Sequence, residues 1–355
     1  MTLSLCMIVK NEEDILGRCL DSCATLFDEI IIVDTGSTDN TINIAKKYTD
    51  KVYSFEWVDD FAKARNYSFS KNTCDYIMWL DADDVIPEPE LEKLKLLIKQ
   101  VLNEKIDVVM LKYAISFDEN NQPVFTYYRE RILKASANPT WEDPVHEAIT
   151  PWGNIVYYDI KIEHRKPSTH TSSGRNLKIY DNLVKSKVQL KPRQLFYYAR
   201  ELYFNNKYRK AINIFKKFLS TTNGYKENYI EACLNLSKCY QCLNQKENAL
   251  KSLFSSFYYD TPRAEILCEI GNLYLIDNNY YSAIYYYTLA TQCEKPTKSG
   301  GFVLEECYDF LPYLQLCVCY YYSGNYEKSK EFHLKAKHLK PNNPIVINND
   351  KIFNS

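Results

Sequence analysis

Short apolar runs alternate with amphipathic stretches along the first half of the chain. The runs at residues 3–9, 29–33, 52–57 and 76–80 consist mainly of bulky apolar residues, which is typical of strands buried on both faces of a sheet. Between these runs, apolar residues recur every three or four positions, as expected for helices that cover a sheet. The alternation predicts an α/β fold with a mostly parallel sheet and helices on both faces.

Polar clusters follow three of these runs, at residues 10–12, 34–35 and 81–84. Because the carboxyl ends of parallel strands lie along one edge of a sheet, we expect the clusters to converge there. The sequence Asp81-Ala82-Asp83-Asp84 places three carboxylates in four positions, where they repel one another unless a cation lies among them. Carboxylate oxygens suit Mg²⁺ or Mn²⁺, which usually share substrate phosphates. A solvated acidic turn is the alternative interpretation.

The second half of the chain repeats itself. Further strands are predicted at residues 107–114, 124–133 and 158–163, and the polar stretch 165–174 is predicted to be a connecting loop. From about residue 193, small residues recur at intervals of 38, 34 and 46 positions, at Ala211, Ala249, Ala283 and Ser329. This pattern resembles a tetratricopeptide array of four helix pairs, that is, an all-α tetratricopeptide-like solenoid. We therefore divide the chain into a first domain (1–166), a linker and connecting helix (167–192), repeats (193–341) and a tail (342–355).

Composition excludes several classes of protein. The 355 residues carry a net charge of −1, which argues against a basic nucleic-acid-binding protein. The 12 cysteines are scattered, and the lone Cys239-x-x-Cys242 pair lacks the second pair that a zinc site needs, so we expect free thiols in a reducing compartment. The apolar start is too brief for a signal peptide, and no apolar run approaches the roughly 20 residues that span a bilayer. These features predict a cytoplasmic protein without a membrane span.

Four short motifs in the first 90 residues resemble those of the family 2 glycosyltransferases, which have the GT-A fold. They are MIVKNE at 7–12, IVDTGSTD at 32–39, ARN at 64–66 and WLDADD at 79–84, in the order and spacing of that family. The resemblance implies a GT-A nucleotide-binding sheet, a nucleotide-diphosphate sugar as donor, Mn²⁺ or Mg²⁺, and inverting transfer.

The resemblance also implies roles for individual residues on the donor side. It places Asp34 near the nucleotide base, Asp81 at the ribose and the metal-bound phosphates, and Asp83 on the metal. The residues implied to line the base, ribose or phosphates are Ile8, Lys10, Glu12 and Arg65. Many family members have a second acid where this chain has Thr35, so the choice of uridine over another nucleoside stays open at this point.

Two later segments resemble those of a subgroup of the same transferases. One is an arginine-rich strand that contains Arg131, assigned to the donor side, and the other is WEDPVHE at 141–147. An inverting reaction needs one carboxylate to take a proton from the acceptor as it attacks the anomeric carbon. The candidates for this base are Glu147 first, because the subgroup places the V-H-E segment beside the acceptor, then Asp143, with Glu142 as a third acid.

A histidine is a candidate for the remaining position on the metal. His146 lies in the V-H-E segment and His164 ends the predicted strand at 158–163. Imidazole is a ligand that Mn²⁺ accepts, so either side chain could complete the shell. A simple hydrogen-bonding role is the alternative for each.

These features predict an enzyme that moves a sugar from a nucleotide-diphosphate donor, with UDP as the expected nucleotide, to a protein or peptide acceptor. The repeats would recruit the acceptor or mediate a homodimer. In the alternative, the chain is a non-catalytic scaffold whose repeats bind a partner and whose first domain is inactive. A nucleotidyltransferase is less compatible with the sequence, because residues 10–13 are not a glycine-rich phosphate loop.

Overall fold

The computed structural model describes residues 1–101, 105–117, 121, 123–166, 174–296 and 303–353. The chain divides into two compact units, Met1–Val188 and Gln189–Ser355. Most of the predicted connecting loop (167–173) and most of the glycine-containing insertion before the last repeat (297–302) lie outside the described residues.

The first unit is built on one mixed sheet. Its strands are β1 (Leu3–Val9), β2 (Glu29–Asp34), β3 (Val52–Ser54), β4 (Tyr76–Trp79), β5 (Asp84–Val85), β6 (Val108–Phe117), β7 (Pro123–Lys134) and β8 (Ile155–His164). Its helices are α1 (Leu16–Cys23), α2 (Thr41–Ala45), α3 (Phe61–Phe69), α4 (Glu88–Val101) and α5 (Arg175–Lys185).

The order of strands in the sheet is β3-β2-β1-β4-β7-β6-β8-β5. The first four strands are parallel, as the sequence predicts, and β6 is parallel to β8. β7 runs antiparallel between β4 and β6, and β5 pairs antiparallel with β8. The predicted α/β fold is therefore confirmed, and its purely parallel part contains β1, β2 and β4, at whose ends the motifs at 7–12, 32–39 and 79–84 lie.

The apolar runs are continuous because helices cover both faces of the sheet. Alternate residues of β1 point to opposite sides, so that Leu5 and Met7 belong to one buried cluster and Cys6 to the other. The first cluster includes buried residues of α1 and α4, and the second includes Ala62 and Phe69 of α3. This packing leaves the carboxyl ends of the parallel strands as the edge at which loops can form a site.

The second unit consists of paired helices. They are α6 (Pro192–Phe204) with α7 (Tyr208–Leu219), α8 (Lys226–Cys242) with α9 (Lys246–Ser255), α10 (Ala264–Ile276) with α11 (Tyr280–Ala290), and α12 (Phe310–Tyr322) with α13 (Tyr326–Leu339), followed by α14 (Pro344–Phe353).

The small residues predicted from the repeat lie where paired helices meet. Ala211, Ala249 and Ala283 are fully buried. At Gly271, an added Cβ would lie 3.0 Å from the ring of Tyr287, so the close approach of α10 and α11 depends on glycine. The prediction of tetratricopeptide-like helix pairs in the second half of the chain is confirmed. Within the described residues, none of the helices combines the length and apolar character needed to cross a bilayer.

Candidate active site

Hydrogen bonds join the loops that follow β1 and β2. The backbone N–H of Asn11 donates to Ser37 Oγ (2.9 Å), and the N–H of Thr38 donates back to Asn11 Oδ1 (2.8 Å). The N–H of Glu12 donates to Thr41 Oγ1 (2.7 Å). Asn11 adopts a left-handed backbone conformation (φ 55°), which asparagine tolerates better than most residues. The first two polar clusters therefore converge at one edge of the sheet.

A cavity of about 620 Å³ opens at this edge, a size typical of small-molecule sites. It brings together nine of the twelve residues that the sequence assigns to the site: Ile8, Lys10, Glu12, Arg65, Asp81, Asp83, His146, Glu147 and His164. The other three, Asp34, Arg131 and Asp143, are not part of its lining. These nine residues are up to 156 positions apart in the chain, from Ile8 to His164.

Asp34 shapes the rim of the cavity. Its side chain lies at the end of β2 and is only 5% exposed. Its carboxylate accepts hydrogen bonds from the backbone N–H groups of Gly36 (3.0 Å) and Ser37 (3.1 Å), which closes a tight turn after the strand. Gly36 has φ 101°, a conformation that favours glycine. In this structure, Asp34 therefore holds the turn next to the place that the resemblance assigns to the base.

Arg131 is not part of the cavity lining, and its assignment to the donor side stays a prediction. Its side chain is fully buried, and Nη1 donates to Asp84 Oδ2 (3.0 Å) and to the carbonyl oxygen of Trp79 (3.1 Å). Its guanidinium lies 3.9 Å from the ring centroid of Trp79 and 4.4 Å from that of Tyr113. Arg129, two positions earlier on β7, lines the cavity instead. Arg131 therefore anchors the acidic turn from below, through Asp84.

The short strand β5 brings His164 to the acidic turn. Asp84 pairs with His164 in the antiparallel contact between β5 and β8. His164 Nδ1 lies 3.2 Å from Asp83 Oδ1 and 3.6 Å from Asp84 Oδ1, and it is 2.7 Å from the hydroxyl oxygen of Tyr113. Asp83, Asp84 and His164 each offer one ligand atom, and these atoms all lie within 4.8 Å of one another.

The residues present fit a divalent cation. Two carboxylates and one imidazole are a donor set that Mn²⁺ or Mg²⁺ accepts, with phosphate oxygens completing the shell. Asp84 already accepts hydrogen bonds from Arg131 and Tyr113, so Asp83 and His164 are the better placed ligands. Burial by itself lowers the pKa of His164, but its hydrogen bonds to Asp83 and Asp84 outweigh burial and raise the pKa to about 10. His146 lines the same cavity but is not part of this cluster within the described residues.

Arg65 connects the acidic turn to the V-H-E segment. Its Nη2 donates to Asp81 Oδ1 (2.6 Å) and its Nε donates to Glu147 Oε1 (2.7 Å). The guanidinium also lies over the rings of Trp79 and Trp141, at 5.2 and 4.8 Å from their centroids. Although burial alone raises the pKa of Asp81, the Arg65 guanidinium lowers it below its usual value, so this carboxylate stays ionised.

A tight loop presents Glu147 to the cavity. The backbone groups of Glu142 and Ala148 exchange two hydrogen bonds (2.9 and 3.1 Å), which closes the loop between them. Asp143 and His146 adopt left-handed backbone conformations within this loop, with φ 72° and 55°. Of the three acids considered as the base, Glu147 is the one that lines the cavity.

Glu12 lines the cavity close to other acids. Its pKa is raised to about 7, first because it is partly buried and then because Asp83, Asp81 and Asp39 repel its charge. Arg175 opposes this shift. At neutral pH, Glu12 is therefore distributed between the protonated and ionised forms.

Several lining residues were not identified from the sequence. They include Trp57, Phe61, Arg129, Arg175 and Asn176. Arg175 and Asn176 begin α5, which lies in the first unit and not, as the sequence predicts, in a segment that connects two domains. No motif identifies them, because the preceding stretch carries neither apolar periodicity nor a paired acid that would indicate a return to the sheet edge.

Comparison with known proteins agrees with the geometry of this unit. Residues 4–153 match the sequence model of the family described as Glycosyl transferase family 2. The SPbeta prophage-derived glycosyltransferase SunS of Bacillus subtilis (strain 168) is 27% identical over 237 residues, which cover 64% of this chain and 54% of that protein. The chain therefore spans about half the length of this relative.

Two further similarities concern the repeats and the fold. A TPR repeat-containing protein of Synechococcus elongatus is 36% identical over 149 residues, which cover 41% of this chain and 35% of that protein. The crystal structure of S. aureus TarS 1–349 in complex with UDP-GlcNAc has a TM-score of 0.42 and 15% identity, and the similarity covers 74% of this chain and 93% of that one. The prediction of a family 2 glycosyltransferase domain followed by tetratricopeptide-like repeats is confirmed by the family match and the observed helix pairs.

Proposed function

We propose that this chain, which carries a family 2 glycosyltransferase domain, is a metal-dependent inverting glycosyltransferase that moves a sugar from a UDP-linked donor to a protein or peptide acceptor. The observation that carries the proposal is a cavity lined both by Asp83 and His164, whose side chains could hold a divalent cation, and by Glu147, a candidate base. Retention of both groups favours a working enzyme over an inactive scaffold.

The donor would bind along the edge formed by β1, β2 and β4. Ile8 and Lys10 line the side of the cavity assigned to the base and ribose, and Asp34 holds the turn beside it. Asp81 would orient the ribose, because Arg65 keeps its carboxylate ionised and fixed. A divalent cation held by Asp83 and His164 would offset the negative charge that develops on the departing diphosphate.

Glu147 would act on the acceptor side. Its carboxylate takes a proton from the acceptor's nucleophilic atom while that atom forms a bond to the anomeric carbon. The bond between the anomeric carbon and the diphosphate oxygen breaks on the opposite face, which inverts the configuration. The hydrogen bond from Arg65 Nε to Glu147 Oε1 (2.7 Å) would orient the carboxylate for this step.

The repeats would recruit the acceptor. The last residues of α6, α10 and α12 are Phe204, Ile276 and Tyr322, which are 61%, 65% and 63% exposed, and they occupy equivalent positions in their repeats. Such a recurring apolar row suits an extended peptide, because arrays of this kind present elongated binding surfaces. Self-association through the repeats is the other role that this surface could serve.

The proposal is tested by incubating the purified protein with a panel of nucleotide sugars, with Mn²⁺ and with EDTA. We expect slow release of UDP from one donor, and only when Mn²⁺ is present. Transfer to a peptide library and sedimentation of the protein alone then distinguish acceptor recruitment from self-association. A folded protein that neither binds nor cleaves any nucleotide sugar would refute the proposed activity.

A further inference from the structure

The start of α5 forms part of the cavity wall and is held firmly there. Arg175 and Asn176 line the cavity, and the following turns of the helix contain the buried residues Leu177 and Ile179. The hydroxyl of Tyr180, also buried, donates to the carbonyl oxygen of Val145 at 3.3 Å. The helix is therefore fastened to the same loop that presents His146 and Glu147, so the position of Arg175 relative to the cavity is set by packing.

Arg175 lies on an aromatic shelf. Its guanidinium carbon is 4.7 Å from the ring centroid of Phe61, and Phe61 in turn packs edge-on against Trp57 with ring centroids 4.7 Å apart. The backbone N–H of Phe61 donates to the carbonyl oxygen of Pro144 (2.9 Å), which fixes the shelf to the V-H-E loop. Stacking of this kind orients the plane of an arginine while leaving its N–H groups available.

The other arginines of the cavity are already neutralised by carboxylates. Arg65 pairs with Asp81 and Glu147, and Arg129 pairs with Glu130. By contrast, within the described part of the chain no carboxylate forms a salt bridge with Arg175. The positive charge of Arg175 nevertheless interacts with Glu12 in the cavity, where it opposes the rise in the pKa of that carboxyl group.

We propose that Arg175 is a donor-binding residue that contacts the β-phosphate of the donor. This is the phosphate bonded to the sugar, and it is present in UDP but absent from UMP. This inference rests on the proposed function, since it concerns the same donor. Acids line the donor side of the cavity, so a diphosphate there needs cationic groups beyond the metal ion. Among the described residues Arg175 has no carboxylate salt-bridge partner, and its fork of N–H donors, oriented by an aromatic ring, matches the geometry of a phosphate group.

The test compares nucleotides that differ only in that phosphate. Binding of UDP and UMP in the presence of Mn²⁺ is measured by calorimetry for the wild-type protein, Arg175→Ala, Arg175→Lys and Lys178→Ala. Lys178 is an exposed cation one turn further along α5 and serves as the matched control. We expect Arg175→Ala to weaken UDP binding by about tenfold and to leave UMP binding unchanged, because a charge-assisted hydrogen bond to an exposed phosphate is lost. Arg175→Lys should retain part of the preference for UDP, and Lys178→Ala all of it.

The outcomes separate this inference from the function on which it rests. A wild-type protein that binds UDP no more tightly than UMP overturns the proposed donor site, whatever Arg175 does. A wild-type protein that prefers UDP, together with an Arg175→Ala variant that keeps the preference, overturns only the role of Arg175. If the alanine variant does not fold, the Arg175→Lys variant decides the question. A preference of Arg175→Lys for UDP over UMP that equals the preference of Lys178→Ala would contradict contact through the guanidinium fork.

Discussion

Replacement of Arg131 by methionine should destabilise the first unit strongly. Arg131 and Asp84 are both fully buried and form an ion pair at 3.0 Å, so removal of the arginine leaves the buried carboxylate with only the more distant His164 Nδ1, 3.6 Å from Oδ1, as a counter-charge. Breaking such a pair typically costs about 3–5 kcal/mol. Methionine fills a similar volume, and Tyr113 still donates to Asp84 Oδ1 (2.8 Å), so we expect the lower end, about 3 kcal/mol.

Urea unfolding followed by tryptophan fluorescence measures the free energy of unfolding of the first unit. All four tryptophans lie at positions 57, 79, 141 and 152, within the first unit, so the signal reports that unit alone. The matched control is Lys134→Met on the same strand, because Lys134 is partly exposed and its ion pair with Asp107 at 3.5 Å should contribute less than about 1 kcal/mol. Adding Asp84→Asn to Arg131→Met should recover a large part of the loss. If Arg131→Met costs no more than Lys134→Met, the reasoning about the buried pair is refuted.

Three further predictions concern the cavity. Asp83→Ala should abolish the Mn²⁺-dependent part of UDP binding without changing the melting temperature, and calorimetry that shows unchanged affinity with Mn²⁺ would contradict the metal assignment. Glu147→Gln should keep donor binding but slow transfer by roughly 10²-fold or more, whereas an equal loss in Asp143→Asn alone would move the base to that residue. The raised pKa of Glu12, about 7, means that the folded protein binds a proton more tightly than the unfolded chain, so its stability falls as pH rises from about 4.5 to about 7. In EDTA, Glu12→Gln should therefore be more stable than the wild type at pH 8, by about 1–2 kcal/mol. The difference in the free energy of unfolding should disappear below about pH 4.5, and urea titrations at both pH values measure it.

Local patterns were sufficient to predict the strands that are buried on both faces. β1, β2 and β4 follow directly from continuous apolar runs, and the small residues of the repeats predicted the helix pairs. The direction of β7 could not be predicted, because a buried strand has the same composition whether its neighbours are parallel or antiparallel. β5 is only two residues long, Asp84 and Val85, which is too short to produce any periodicity.

The residues of the candidate site that belong to short motifs could be predicted from the sequence. Those whose position depends on tertiary packing could not. The sequence places three acids at 81–84, but their directions depend on Arg131, which lies on a different strand and draws Asp84 into the core. Asp83 is left at the cavity surface and Asp84 beneath it, a difference that spacing alone does not encode. Arg175 reaches the cavity only because α5 packs against the loop that contains Val145, a tertiary contact that leaves no local pattern.

The shared guanidinium of Arg65 also constrains how this protein can evolve. Arg65 is only 7% exposed and divides its N–H donors between acids on two separate segments, Asp81 and Glu147. Loss of either acid leaves the buried guanidinium with only one carboxylate partner. Loss of the arginine leaves the two carboxylates without the cation that they share. A substitution at any one of these three positions therefore destabilises the protein unless the other two also change. In orthologous chains, substitutions at positions 65, 81 and 147 should therefore occur together.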